Sequence, residues 1–341
     1  MKKIYLKLFL LILTASTMFA DGGVRNGTGA AAQLLIPVGA RGIAMSGSSV
    51  AGSSGLEALY WNPANLAIEG GTNVMFSHMT YIADIGVTYF GASTNLEGFG
   101  SLALSLKSLS MNDINVTTVE DPDGTGQTYK PTFLILGLTY SRLLSDRISV
   151  GLTVNYITEK LGLVSASGLG FNLGVTYRNL ANINGFNLSM VVKNLGSQMK
   201  YDGSALYLPA TPATLERGEA YYKMDAMAFE LPSTLEIGFS YAYNFNASNS
   251  LQLDGVYQNS NYYADEYKVG LEYSLNNSFF VRGGYLFTPS FSDNKDYNIY
   301  GLTAGMGIKY DLGGTLLKLD YAFRQTKFFN SNHVIAVQFG F

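Results

Sequence analysis

The feature that most constrains this chain is an alternation of apolar with small or polar residues, which recurs in segments just long enough to cross a membrane. Ile148, Val150, Leu152, Val154 and Tyr156 alternate with Ser149, Gly151, Thr153 and Asn155. Leu169, Phe171, Leu173, Val175 and Tyr177 repeat the pattern against Gly170, Asn172, Gly174 and Thr176. So do Leu235, Ile237, Phe239, Tyr241 and Tyr243 against Glu236, Gly238, Ser240 and Ala242. Period two is the mark of a strand with one apolar face. Fourteen such segments are expected, near 72–81, 84–93, 98–107, 132–141, 147–159, 168–178, 186–194, 233–244, 250–258, 267–275, 278–287, 299–310, 315–325 and 333–341. Each is roughly the 9–11 residues a tilted strand needs to span a bilayer.

The fold class this implies is all-β, a transmembrane antiparallel β-barrel of about fourteen strands. Charged residues are only 14% of the chain, while Tyr (24), Phe (20) and Gly (38) are abundant. That composition suits a wall facing lipid better than a surface facing water. The charges within the strands, Glu236, Asp254, Lys268, Glu272, Arg282, Lys309, Lys318, Asp320 and Arg324, fall on the face opposite the apolar one. On lipid each would cost a few kcal/mol, so they are expected to point into the barrel and pair there.

Connection lengths give a second test, because outer-membrane barrels have short periplasmic turns and longer outside loops. With the N-terminus in the periplasm, the even-numbered gaps should be turns, and 94–97, 142–146, 179–185, 245–249, 276–277 and 311–314 are short. The odd-numbered gaps 108–131, 195–232, 259–266 and 288–298 are mostly longer, with a tight first hairpin at Ile82-Ala83 as the exception.

Three domains follow. Residues 1–20 read as a cleaved secretory signal: Lys2 and Lys3, a short apolar run at 8–13, then small residues up to Ala20. Residues 72–341 are the barrel. Between them, residues 21–71 are rich in Gly, Ala and Ser and suit neither a helix nor a sheet surface, with glycine at 39, 42, 47, 52 and 55. Small side chains allow close backbone packing, so this stretch is expected to be an N-terminal plug, or hatch, inside the barrel. The localisation expected is the outer membrane of a diderm bacterium, in contact with outer-membrane lipids.

Composition also excludes. A net charge of −3 argues against nucleic acid as a partner. Zero Cys and two His, His78 and His333, leave no metal centre and no cofactor to expect. No nucleophile-elbow context for a catalytic Ser is present, so the chain reads as no enzyme.

The segments Val38-Gly39-Ala40-Arg41-Gly42, Met45-Ser46-Gly47, Val50-Ala51 and Ala58-Leu59-Tyr60-Trp61-Asn62-Pro63-Ala64, with Val191-Val192-Lys193-Asn194-Leu195-Gly196, Leu231-Pro232 and Ile237-Gly238-Phe239-Ser240-Tyr241, resemble the PorV/PorQ family across the mature chain. That family lies within the wider group of fatty-acid-transporter-like (FadL) barrels, fourteen strands around an N-terminal hatch. The chain departs from the family pattern at Ser46, at Asn65 and in a longer middle loop at 207–230. The resemblance implies a non-enzymatic component of the type IX protein secretion system that binds or shuttles cargo, with secretion-system proteins and cargo C-terminal domains as partners. The alternative it implies is a FadL-like channel for uptake of hydrophobic small molecules.

Candidate site residues carry competing readings. Arg41, Trp61, Asn62, Pro63 and Ala64 are expected to anchor the plug to the wall, although Asn before Pro is held extended and can simply shape a turn. The loop 200–230 offers Tyr207, Arg217, Tyr221, Tyr222 and Phe229 to a protein partner, or else folds over the barrel mouth. Asp121-Pro122-Asp123-Gly124 lacks the downstream acidic ligand of a calcium loop and reads as solvated. His78 is expected to pack in the lumen. Phe339 and Phe341 close the last alternating segment and look like the signal read by barrel-assembly machinery.

Overall fold

The computed structural model describes residues 29, 31–210, 219–288 and 299–341. The expected signal, 1–20, and Arg217 lie outside these residues. Among the described residues there are fourteen long strands: β1 Thr72–Thr80, β2 Gly86–Leu96, β3 Gly100–Ser110, β4 Thr132–Leu143, β5 Ile148–Leu161, β6 Val164–Tyr177 and β7 Phe186–Gly196. Then come β8 Thr234–Asn244, β9 Ser250–Ser260, β10 Glu266–Leu275, β11 Phe279–Phe287, β12 Tyr300–Asp311, β13 Leu316–Thr326 and β14 Asn332–Gly340. Every strand pairs antiparallel with its neighbours in sequence. Pairing of β1 with β14, from Asn73↔Gly340 to Thr80↔His333, closes the ring. A closed ring has no free edge, which is what lets strands cross a membrane.

The alternation sorts the two faces as expected. Leu136, Leu138, Leu152, Leu173, Leu271 and Met306 are exposed on the outer face, where lipid covers them, whereas Glu236, Asp254, Lys268, Glu272, Arg282 and Arg324 are buried on the inner one. His78 differs: Asn73, Met75, Ser77 and Met79 fill the inward positions of β1, so His78 faces out and bonds Thr88 Oγ1 at 3.1 Å. Parity, not side-chain type, decides this, and it corrects the expectation of lumen packing.

The connections also differ from expectation in part. One end of the barrel carries the short links 97–99, 144–147, 178–185, 245–249, 276–278 and 312–315. The other end carries the long 111–131 and 197–233, but also 81–85, 162–163, 261–265 and 327–331, which are no longer than turns. Strand β6 begins at Val164, earlier than its alternation suggests, because Gly162 at φ 57 makes a two-residue hairpin with β5.

Residues 31–69 form short helical turns, Ala32–Leu35, Ala40–Ala44, Gly55–Glu57, Ala58–Trp61 and Pro63–Ile68. They contact inward side chains on opposite sides of the ring. Their direction follows from two groups of contacts. Ala31 and Leu34 cluster with Ile135, Ile157, Ala166, Met199 and Leu231 at the long-loop end, whereas Ala64 and Ala67 bond Ser141 near the short-turn end. The segment therefore descends the lumen and delivers the chain to the start of β1. Period-two patterning carries no information about the direction of a segment that is not itself a strand.

Candidate functional site

Two sets of contacts fix the descending segment. The first surrounds Asn62, whose side chain is fully buried. Its backbone is extended at φ −158, as a residue before Pro should be, and its Oδ1 accepts from Ala64 N at 3.0 Å to cap the turn Pro63–Ile68. Its Nδ2 donates to Val50 O at 3.1 Å and to Thr176 Oγ1 on β6 at 2.8 Å. The same side chain thus shapes the turn and reaches the wall. Asn65 duplicates the reach: its Nδ2 donates to Val50 O at 3.0 Å, and the Thr176 hydroxyl donates to its Oδ1 at 2.6 Å. Ser141 on β4 closes the set, donating to Ala64 O at 3.0 Å and accepting from Ala67 N at 3.3 Å. Close approach is possible because the wall there is glycine. A Cβ on Gly151 would strike the Pro63–Ala64 backbone, and one on Gly174 would strike Asn62 and Pro63.

The second set is ionic. Arg41 donates to Glu272 on β10 through Nε at 2.8 Å and one terminal nitrogen at 3.0 Å, a bidentate pair. Glu272 also accepts from Arg282 on β11 at 2.5 Å, and Arg282 reaches Asp320 on β13 at 2.5 Å. Arg41 Nη1 meanwhile donates to Gly52 O at 3.2 Å, so one guanidinium ties two parts of the segment to the wall. Lower down, Glu69 pairs with Lys318 at 2.7 Å. Glu57 lies beside this network with one carboxylate oxygen unpartnered. Burial, and then the Asp320 charge, push its carboxyl up to about 7, while Arg41 and Arg282 pull the other way. Met45 to Ser48 press on Gly270 and Gly284 of β10 and β11, and Ala44 on Gly305 of β12. Ser46 Oγ bonds Thr303 Oγ1 at 2.9 Å.

Above these contacts, toward the long-loop end, a cavity of about 520 Å³ remains. Tyr60 and Trp61 line it from the segment, and Trp61 packs on Gly42 and Gly47 with its indole N–H unpartnered. One side is apolar, with Leu35, Ile36, Ile85, Leu109, Met111 and Phe133. The other carries charge. A bulge in β7, where the register with β6 shifts between Phe171 and Leu173, turns both Lys193 and Asn194 inward. Lys193 pairs with Glu236 at 2.9 Å and sits 5.0 Å from the Tyr60 ring centroid and 5.5 Å from that of Trp61. Lys268 pairs with Glu266 at 2.9 Å, and Arg324 stacks on Tyr300 at 3.9 Å.

The loop 197–233 does two things at once. Its base covers the mouth: Met199 and Leu231 are buried, Phe229 packs against them, and Tyr201 donates to Glu159. Phe229 therefore belongs with the cover and not with an exposed partner face. Its distal part is a hairpin in which Tyr207–Ala210 pairs with Ala220–Lys223. Tyr207, Tyr221, Tyr222, Met224 and Met227 are exposed there, Tyr221 by 76% and Met227 by 77%. The Asp121 loop lies in another exposed hairpin, Ile114–Asn115 against Thr128–Tyr129. Phe339 and Phe341 sit on the outer face at the short-turn end, where Phe341 and Thr72 exchange backbone bonds of 2.8 and 3.2 Å.

Sequence reasoning missed Thr176, Ser141 and the structural part of Asn65. The signal available for them was the run of small inward residues on β4, β5 and β6. Charged Glu272 and Arg282 were visible because parity put them inside.

The barrel can be compared with solved outer-membrane channels. The toluene transporter TodX of Pseudomonas putida superposes with a TM-score of 0.53 at 15% identity, over 89% of this chain and 97% of its own. The monoaromatic hydrocarbon channel CymD gives 0.53 at 15% over 89% and 97%. A Pseudomonas aeruginosa FadL homologue gives 0.52 at 11% over 89% and 98%. Identities this low establish the fold alone. No curated relative matches in sequence. The family model described as type IX secretion system protein PorV matches residues 20–224, more than half of the 341. The chain belongs to the PorV family, outer-membrane barrels of type IX secretion.

Proposed function

We propose that this protein is a non-enzymatic component of the type IX secretion system that binds cargo C-terminal domains at the outer face of the outer membrane, directly or together with other secretion-system proteins. In this reading residues 1–20 are removed on export, 21–71 plug the barrel and 72–341 hold it in the membrane, inserted by assembly machinery through Phe339 and Phe341. Arg41, Trp61, Asn62, Pro63 and Ala64 hold the plug in place. With residues 31–69 running down the lumen, folded cargo is met outside the barrel.

The observation that carries the reading is the exposed cluster at the paired segments 207–210 and 220–223 and just after them, Tyr207, Tyr221, Tyr222, Met224 and Met227. Rigid aromatic surface of this kind suits a protein partner. The test is a Tyr221→Ser, Tyr222→Ser double variant expressed in place of the native protein. The barrel should remain heat-modifiable on gels while cargo accumulates in the periplasm and no longer co-purifies. Normal secretion from that variant would overturn the reading.

A second reading has its own observation. The apolar side of the 520 Å³ cavity, in a fold shared with hydrocarbon channels, favours a hydrophobic small molecule admitted at the long-loop end. A stoichiometric hydrophobic compound extracted from the purified protein, with secretion intact in the hairpin variant, would establish it over the first.

A further inference from the structure

A second, smaller chamber lies beside the main cavity and differs from it in chemistry. Its volume is about 40 Å³, and its walls include Ser105 and Lys107 of β3, Thr153 and Asn155 of β5, Asn172 of β6 and, from the segment, Tyr60. Leu34, Tyr60, Lys193 and Asn194 line both spaces, which gives the chamber a route to the long-loop end. Glycine at 137 on β4 lets the Ser105 and Asn155 side chains approach each other over the sheet: a Cβ there would stand 2.4 Å from Ser105 Oγ and 2.9 Å from Asn155 Oδ1. At about 15 Å³ for each water-sized particle, the chamber holds two or three, fewer than the five heavy atoms of sulfate or phosphate.

Lys107 is 4% exposed, and lysine is almost never buried to that degree without a counter-charge. Among the described residues its ammonium has one hydrogen-bond partner, the Ile36 carbonyl of the segment, and it lies 5.0 Å from the Tyr60 ring centroid. The carboxylates at this end of the lumen are engaged elsewhere: Glu236 pairs with Lys193 at 2.9 Å, and Glu159 accepts from Gln33 at 2.8 Å and from Tyr201. Lys193 stands 5.0 Å from the same Tyr60 ring, so a second ammonium adds to the positive charge.

A buried ammonium is stable beside an opposite charge or after it sheds its proton. The walls decide between these, because they are rich in donors. Asn172 Oδ1 accepts from Asn194 N at 2.8 Å, so the free end of that amide is its Nδ2, a donor. The Asn155 amide has no hydrogen-bond partner among the described residues, and its Oδ1 lies on the Ser105 side, over Gly137. The Thr153 hydroxyl is occupied with Thr139 at 2.8 Å. A neutral amine would leave these N–H groups unsatisfied, whereas one anion takes them together with the ammonium.

From the unpaired Lys107 ammonium, the spare amide donors and the size of the space, we propose that this chamber binds a small inorganic monovalent anion of the halide class. The ion keeps Lys107 charged, and the charged ammonium holds Ile36 O, so the anion fastens the upper end of the segment to β3. This attachment is separate from the Asn62 and Arg41 contacts, and it holds under either reading of the function.

Crystals of the full-length protein grown in bromide should show an anomalous peak in contact with Lys107 Nζ, and Lys107→Gln should abolish it. Water alone in the chamber, or a carboxylic acid reaching in from the main cavity, would overturn the proposal. Replacing chloride at about ten times its Kd by gluconate, too large for the chamber, at constant pH and ionic strength should raise amide exchange at residues 34–36 about tenfold. Exchange that ignores the replacement would overturn the fastening role. Asn155→Asp puts a fixed carboxylate into the chamber; this variant should stay heat-modifiable and keep residues 34–36 protected in gluconate. Continued dependence on chloride in that variant would count against the site, as would chloride dependence that survives in Lys107→Gln.

Discussion

Asn62 and Asn65 share two partners, so their removal should be cooperative. In Asn62→Ala, Val50 O keeps its bond from Asn65 at 3.0 Å, and Thr176 keeps its bonds to Asn65 at 2.6 Å and Ser189 at 2.7 Å. The group left without its side-chain partner is the Ala64 N–H, which Asn62 Oδ1 accepted from at 3.0 Å. A buried amide left unpaired costs about 1–3 kcal/mol. That corresponds to a roughly 5- to 150-fold rise in the population of the opened segment. Asn65→Ala removes the acceptor of the Thr176 hydroxyl, which can turn to Ser189 instead, and should cost no more. In the double variant Val50 O loses both donors and Thr176 loses both of its bonds to the segment. A further coupling of about 1 kcal/mol beyond the sum is therefore expected. Amide hydrogen exchange across residues 62–67, read beside the thermal unfolding of the barrel in detergent, measures both quantities. Opening free energies additive within about 0.5 kcal/mol would refute shared satisfaction, and an equal fall in barrel stability would refute the segment as a separately opening unit.

Gly174→Val puts side-chain atoms where Asn62 and Pro63 sit, so residues 62–67 should lose exchange protection and the reconstituted protein should conduct, while heat-modifiability is kept; retained protection would refute the close approach as drawn. The Glu57 carboxyl, pushed up from 4.5 to about 7 by burial with Asp320 adding and Arg41 and Arg282 opposing, binds its proton more tightly in the closed segment than in an open one. Its contribution is full below pH 4.5 and is lost as pH rises through about 7, so segment opening should increase up to tenfold per pH unit within that window. Glu57→Gln should flatten the profile, and an unchanged slope would assign it to another group.

The fourteen strands were legible because a wall with lipid on one side and a packed lumen on the other forces period two. Their ends shifted by a few residues, as at β2 and β6, where turn glycines and left-handed residues such as Ala83 (φ 53) and Asp84 (φ 58) set the hairpins. The same alternation placed Glu272 and Arg282 inside. It puts His78 outside as well, against the lumen packing that its chemistry alone suggests. The direction of residues 31–69 was not legible, since three-dimensional contacts between Leu34 and Ile157, or Ala64 and Ser141, leave no periodic trace. The loop at 197–233 was half legible: its exposed aromatics were apparent, whereas Phe229 joining the buried base depends on the pairing of Met199–Lys200 with Ala228–Phe229.

The glycines of the inner wall and the small residues of the segment are two halves of one feature. Where neighbouring strands place glycine inward, at 151 and 174 and again at 270, 284 and 305, the segment's backbone lies directly on the sheet, at Pro63-Ala64 and at 44–48. Where they place long charged residues inward, at Glu272, Arg282 and Lys318, the segment reaches out with Arg41 and Glu69 instead. The first kind of contact is steric and leaves little freedom, because any added Cβ meets main-chain or buried atoms. The second is made by side chains that can exchange partners, as Glu272 already does between Arg41 and Arg282. The β10 to β13 side carries both kinds of contact, so opening should begin where the ionic partners can exchange, around Arg41, with 44–48 held on glycine and the Asn62 contacts on β4 to β6 acting as the hinge. Arg41→Gln tests that order: exchange should accelerate at 40–43 well before it does at 62–67, and simultaneous loss of both would reject a hinged opening.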